Sequence, residues 1–340
     1  MEHNPGAYVP GSWRDSDKIG NFGKNGLSIF VINPYSTALT FPPDFLQEFM
    51  NIHPLACVSS LAVIAADVEI GPFCVVEPDV RIGSGCRLES RATLKNGTEL
   101  GENNVVCEGA VLGGKPQHTA ASAHCGRLVI GNGNTIREYA TLHRALKESD
   151  ATIIGNGNFI MVNAHVGHDC VIGNNNVLVN NVMLGGHVHI GHRVNLGGAA
   201  GVHQFCRVGS LAMVGGQGHI IQDVPPFMTV DGLTSRIVGL NLIGLRRNGC
   251  SPEEIKRLKA QYRVLYRSGR TWKEILAILN TEYSTDLPGE LTEFLQTTKR
   301  GIVSERRSGS GRPALRVIEA EDVDNEDYDE EIKPFRASVG

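Results

Sequence analysis

An aliphatic residue at every sixth position constrains this chain more than any other feature. From Ile52 to Ile220, 26 of 29 consecutive slots hold Ile, Leu or Val, and the exceptions are His118, His124 and Glu148. A period of six matches neither an α-helix at 3.6 nor a simple strand at two. It matches a chain that turns a corner every six residues. Three such hexads close a triangular coil of about 18 residues, and coils stack through parallel strand pairing. The residue four places after each aliphatic is mostly small: Ala56, Ala62, Cys74, Cys86, Ala92, Ala164, Cys170, Ala200, Cys206, Ala212. A narrow prism cannot hold two large inward side chains per hexad, so these four cysteines are assigned to packing rather than reactivity. Gly, Asn and Asp crowd the remaining positions, as corners with positive φ require. The run Ile-Gly-Asn-Gly-Asn, at Ile130 and again at Ile154, is such a corner.

Composition narrows the class further. Forty glycines are too many for a helical bundle, and no apolar run approaches the ~20 residues of a membrane span. Met1 to Lys18 lacks a basic head followed by an apolar stretch, so no secretory signal is expected. Eight cysteines without a CxxC pair read as reduced thiols of a cytoplasmic protein. The net charge of −4 conceals an asymmetry: Glu319 to Glu331 holds nine acidic residues and no basic one. Without that run the balance is 32 basic against 27 acidic, or +5. Arg236 to Lys273 holds ten Lys/Arg against two Glu, a surface suited to an acidic macromolecule.

The expected organisation has four parts. Residues 1–49 form an irregular extension outside the hexad register, and Met50 reads as the functional start. Residues 50–235 form the prism, with Gly113 to Val129 and Arg144 to Thr152 extruded as loops. Residues 236–303 form a small helical domain. There Ser251-Pro252-Glu253-Glu254 is a capping box, and Gly269 ends the helix that it starts. Thr271-Trp272-Lys273-Glu274 starts a second helix, and a third is expected over Gly289 to Lys299. Residues 304–340 read as a disordered acidic tail.

The candidate chemistry lies in histidines. Projected on an 18-residue coil, His165, His168, His187 and His203 fall near one corner over adjacent coils. An imidazole there can take a proton from a hydroxyl at neutral pH, and Asp169 beside His168 can hold its tautomer. Gly185 and Gly186 let a ligand approach the backbone, and the Gly186 amide can donate to an oxyanion.

Several runs carry a resemblance: Ile52-His53-Pro54, Ile70-Gly71-Pro72-Phe73, Asn163-Ala164-His165-Val166-Gly167-His168-Asp169-Cys170, Val202-His203-Gln204-Phe205-Cys206 and Gln222-Asp223-Val224-Pro225-Pro226. Together with Tyr266-Arg267-Ser268-Gly269 and Thr298-Lys299-Arg300-Gly301-Ile302, the chain resembles the acyl-[acyl-carrier-protein]–UDP-N-acetylglucosamine O-acyltransferase family from about Ile52 to Val303. The resemblance implies a mainly β fold, a left-handed parallel β-helix of hexapeptide repeats followed by a small α-helical C-terminal domain. It implies transfer of a 3-hydroxyacyl chain from acyl carrier protein to the glucosamine 3-hydroxyl of UDP-N-acetylglucosamine, the first step of lipid A synthesis.

By position, the resemblance makes His168 the general base, Asp169 its orienting partner and Gly186 the oxyanion donor. His165, His187, His203, Gln204 and Gln117 would contact substrate, and Gly216 would sit where acyl length is measured. Asn241 and Arg247 would hold the nucleotide or the phosphopantetheine. Arg246 and the basic helix from Lys256 would face acyl carrier protein. The family implies a homotrimer with no bound cofactor, metal or nucleic acid. Three residues depart from its pattern: His118 in place of Asp, Ala120 in place of Lys and Ile243 in place of Glu. A modified UDP-sugar as acceptor therefore stays open. So does a zinc-dependent β-helix enzyme, of carbonic-anhydrase type, using His187, His189 and His192.

Overall fold

The computed structural model describes residues 51–121, 124–283 and 286–306. The expectations for residues 1–49, for Met50 as a start and for most of the acidic tail lie outside the described residues. The molecule is mainly β. Among the described residues twenty-seven short strands form three sheets of nine, eight and ten strands, and each sheet takes every third strand in order, apart from the last two strands of the ten-stranded sheet. This is the topology of a three-faced coil. Pairing is parallel with partners 18 residues apart, as in Ile64↔Ile82 and Leu178↔Leu196.

Two coils are longer. Leu100 pairs with Ile130, and Ile130 with Ile154, spacings of 30 and 24. The excess is a multiple of six in each case, which is why the hexad phase survives both loops. Those loops are shorter than expected. Strands Val111–Gly114, Arg127–Ile130 and Ala151–Ile154 extend into them because longer ladder pairing satisfies more backbone groups.

The hexad aliphatics from Ile70 onward form one contiguous buried core, each side chain contributing roughly 2 kcal/mol through burial. Cys74, Cys86, Cys170 and Cys206 are buried in it. Burial pushes the Cys170 thiol up to about 12 and the Cys206 thiol up to about 11, so both remain protonated packing groups.

Some corner asparagines have a use other than tolerance of positive φ. Asn104, Asn134, Asn158 and Asn176 are buried and stacked. The Oδ1 of each accepts the backbone N–H of the residue one coil on, at 2.9, 2.8, 2.9 and 2.7 Å, ending at Val194. This amide ladder satisfies donors that a tight interior corner would otherwise orphan.

After the last parallel pairing, Ile237–Leu240 adds antiparallel to Met228–Val230. Four helices follow: α1 (Leu242–Arg247), α2 (Pro252–Arg267), α3 (Trp272–Glu282) and α4 (Asp286–Gln296). Both expected capping boxes form, at Ser251/Glu254 and Thr271/Glu274. Helix α1 was not foreseen. Helix α4 starts three residues before the expected Gly289 and ends three before Lys299. Pro288 falls in its first turn, where a missing N–H costs nothing. Past position 304, Glu305 still bridges Ile237 and accepts from Arg267 at 2.8 Å. Among the described residues no helix is long and apolar enough to cross a membrane.

Candidate active site

The corner after strand His165–Val166 places the chemistry. Asp169, His187 and Phe205, spaced by 18, occupy successive coils there with φ of 59°, 59° and 66°. One residue earlier, His168, Gly186 and Gln204 form the adjoining column. The corner is held by the preceding coil: the Thr152 hydroxyl accepts the Asp169 N–H at 2.8 Å, and the Leu146 N–H donates to the Asp169 carboxylate at 3.1 Å.

His168 is 7% exposed. Its Nδ1 lies 2.6 Å from Asp169 Oδ2. A carboxylate only accepts, so Nδ1 carries the ring proton and Nε2 keeps its lone pair. That nitrogen lies over Gly186, where an added Cβ would come within 2.6 Å of both His168 Nε2 and Cε1. Glycine is therefore required at 186 by space rather than by dihedral. Among the described residues nothing accepts a hydrogen bond from its N–H, so the amide is available to a ligand. Gly186→Ala should displace the ring from Asp169 and lower kcat/KM about 10²-fold, the scale of an ångström's misplacement. Steady-state kinetics at full activity would show that the ring does not work from this position.

His187 stands edge-on to His168, ring centroids 5.2 Å apart, and its Nε2 is 3.7 Å from Asp169 Oδ2. Burial is the main cause that holds its pKa below the ordinary histidine value. Its other face stacks on Phe205 at 4.7 Å, with 10° between planes. His203 does not stack there as the arithmetic implied. The third rung belongs to Gln204 and Phe205, while exposed His203 has Nδ1 3.2 Å from Gln204 O and 3.5 Å from Arg300 Nη2.

Two rings join that sequence reasoning had not placed. His118, on the long loop, lies edge-on to His168 at 5.5 Å and accepts the Ala120 N–H through Nδ1 at 3.0 Å. His143 packs 5.0 Å from His165, with Nδ1 2.7 Å from Lys115 O. The departure of His118 from the family pattern was the only signal for it. His165 Nδ1 is 2.9 Å from Thr141 Oγ1, and its pKa is lowered to about 4 by burial and then by His143.

Neutral burial of His165 has a consequence for stability. Its folded pKa lies below the unfolded value of about 6.5, so unfolded chains bind the proton first. Stability should fall as pH drops from about 6.5 toward 4, and the shifts of His143 and His187 act in the same direction. Melting temperature against pH should show a shallower acid fall in His165→Gln. An equal slope would remove His165 as a cause.

The remaining expected residues are elsewhere. Gln117 is exposed beside His118. Gly216 sits at a different corner, one residue before Gln217 of the column that starts at Phe73 and next to Gly198 of the preceding coil. Asn241 is the N-cap of α1: its Oδ1 accepts the Gly244 N–H at 2.9 Å, and its Nδ2 donates to Leu211 O at 2.8 Å. Arg246 and Arg247 are exposed on the last turn of α1. Of the histidines considered for zinc, His192 is engaged, accepting the Asn174 N–H at 2.9 Å. The atoms that converge are instead those of His168, Asp169 and His187.

Residues 223–303 match the family model described as UDP N-acetylglucosamine O-acyltransferase, domain 2. Residues 61–96 and 151–186 match the bacterial transferase hexapeptide model. An acyl-[acyl-carrier-protein]–UDP-N-acetylglucosamine O-acyltransferase of Burkholderia lata is 41% identical over 259 residues, 74% of this chain and 99% of the relative. The Paraburkholderia phytofirmans protein of the same name is 44% identical over 260 residues, with the same coverage. The crystal structure of Francisella novicida UDP-N-acetylglucosamine acyltransferase aligns with a TM-score of 0.74 at 38% identity, covering 79% of this chain and 99% of that one. The Moraxella catarrhalis enzyme aligns with a TM-score of 0.72 at 40% identity, covering 75% and 100%. With the repeat, the His168–Asp169 corner and these relatives in agreement, the chain belongs to the acyl-[acyl-carrier-protein]–UDP-N-acetylglucosamine O-acyltransferase family.

Proposed function

We propose that this protein transfers a 3-hydroxyacyl chain from acyl carrier protein to the 3-hydroxyl of UDP-N-acetylglucosamine, the first step of lipid A synthesis. The observation that carries the mechanism is the 2.6 Å contact of His168 Nδ1 with Asp169, which leaves Nε2 as an acceptor above Gly186. Nε2 takes the proton of the sugar hydroxyl as its oxygen attacks the thioester carbonyl. Asp169 stabilises the imidazolium, and the Gly186 N–H receives the developing oxyanion. Collapse breaks the C–S bond, and His168 returns the proton to the departing thiolate.

His165, His187 and Gln204 line the substrate side of this corner, with Gln117 and His118 opposite on the loop. Gly216 belongs to another corner, and Asn241 and Arg247 belong to α1, where Asn241 serves as the cap. A homotrimer, in which a neighbouring copy brings its own 216 and 247 positions to this corner, reconciles the two groups. On this reading residues 50–235 form the catalytic scaffold and residues 236–303 the partner-facing helical domain of a cytoplasmic enzyme. Exposed Arg246, Lys256, Lys259 and Arg263 supply a basic surface for acyl carrier protein.

Mass spectrometry of products from purified protein, offered UDP-N-acetylglucosamine with a panel of 3-hydroxyacyl carrier proteins, tests this. A 3-O-acylated sugar nucleotide is expected. Acylation of a 3-amino analogue alone would move the acceptor to a modified UDP-sugar.

A further inference from the structure

The atoms that make His168 a base also form a ligand set. One ligating atom each from His168, Asp169 and His187 all lie within 4.8 Å of one another. Asp169 Oδ2 is shared, 2.6 Å from His168 Nδ1 and 3.7 Å from His187 Nε2. A tetrahedral zinc ion with bonds of about 2.1 Å holds its ligands about 3.4 Å apart. His187 is the adjustable member, since its side chain is 38% exposed while those of His168 and Asp169 are 9% exposed. The 3.7 Å span from Asp169 to His187 is already close to that separation, whereas the 2.6 Å His168–Asp169 contact opens by about 0.8 Å when a cation replaces the proton it holds. Two imidazoles and a carboxylate are donors that suit a borderline-soft divalent cation.

We propose that His168, Asp169 and His187 reversibly bind a zinc ion, and that the ion inhibits acyl transfer. The inhibitory role rests on the functional reading above; the binding does not. Zinc on His168 Nε2 removes the lone pair that accepts the sugar proton. Zinc on Nδ1 forces the single proton of the neutral ring onto Nε2, which then can only donate. Either mode consumes the base without any covalent or redox step. His118 closes the outer side of His168, but its Nδ1 already accepts the Ala120 N–H. A neutral His118 therefore carries its proton on Nε2 and is no ready fourth ligand. That position is left to water.

The test uses the full chain, stripped with a chelator and titrated with Zn²⁺ or Co²⁺. Equilibrium dialysis with elemental analysis and the visible spectrum of tetrahedral Co²⁺ report binding independently of activity. One ion per chain is expected at this site, with affinity lowered at least tenfold in both His187→Ala and Asp169→Asn. His192→Ala, outside the triad, should bind as the parent does. Added zinc should suppress turnover, and chelation should restore it. Unaltered affinity in His187→Ala and Asp169→Asn, or absence of the Co²⁺ bands, overturns the site. Activation by zinc overturns the inhibitory role. Zinc binding as stated, in a chain that acylates no sugar nucleotide even when stripped, supports the site and overturns the functional reading.

Discussion

His168→Ala should lower kcat/KM for acyl transfer by about 10²–10⁴-fold, the contribution of a positioned general base. The fold should survive, because His168 lies at a corner rather than among the rungs that fill the prism. Its ring touches Asp169, His187 and His118, none of which belongs to the contiguous apolar core. Asp169→Asn should also impair turnover, since an amide in place of the carboxylate no longer fixes Nδ1–H as the donor. Steady-state kinetics with UDP-N-acetylglucosamine and 3-hydroxyacyl carrier protein, beside circular dichroism and melting curves, separate chemistry from folding. Activity in His168→Ala within threefold of the parent would falsify the base assignment.

The second large effect is on stability and lies far from that corner. Asp223 is 1% exposed, and its carboxylate accepts the Arg207 N–H at 2.9 Å, Arg207 Nε at 3.0 Å and the Thr298 hydroxyl at 2.8 Å. Its backbone pairs with Gly301 and Val303. Arg207 in turn reaches Phe294 O and the Thr297 hydroxyl, with its guanidinium 4.1 Å over the Phe294 ring. One carboxylate thus ties a coil of the prism to the end of α4. Asp223→Ala should cost about 3 kcal/mol, the lower end for breaking a buried pair, because Arg207 retains some access to water. Asp223→Asn keeps one acceptor oxygen and should cost less. Chemical denaturation measures both, and a loss under about 0.5 kcal/mol, the size of an ordinary surface substitution, would show the tie to be incidental.

The prism was legible because its rule is local: an inward aliphatic every six residues, repeated until chance is excluded. His168, Asp169 and Gly186 were legible for the same reason, since coil arithmetic gives their neighbours. That arithmetic failed by small offsets at His203. A difference of 16 rather than 18 residues puts its side chain beyond the stack, and Phe205 takes the place. The loops obey no period, so His118 and His143 gave no hint of which rings they would meet. Asn241 shows a different limit of sequence reading. An asparagine before a short amphipathic run caps a helix as readily as it holds a ligand, and α1 is only six residues long.

The two long coils exceed their neighbours by whole hexads, twelve residues in one case and six in the other. Each extruded segment is consequently a detachable cassette. Removing one in units of a full side leaves every downstream corner facing the same way, whereas removing three residues would turn all later imidazoles toward the wrong wall. The segment that carries His118 can therefore change in length by whole sides without altering the register of the scaffold beneath it.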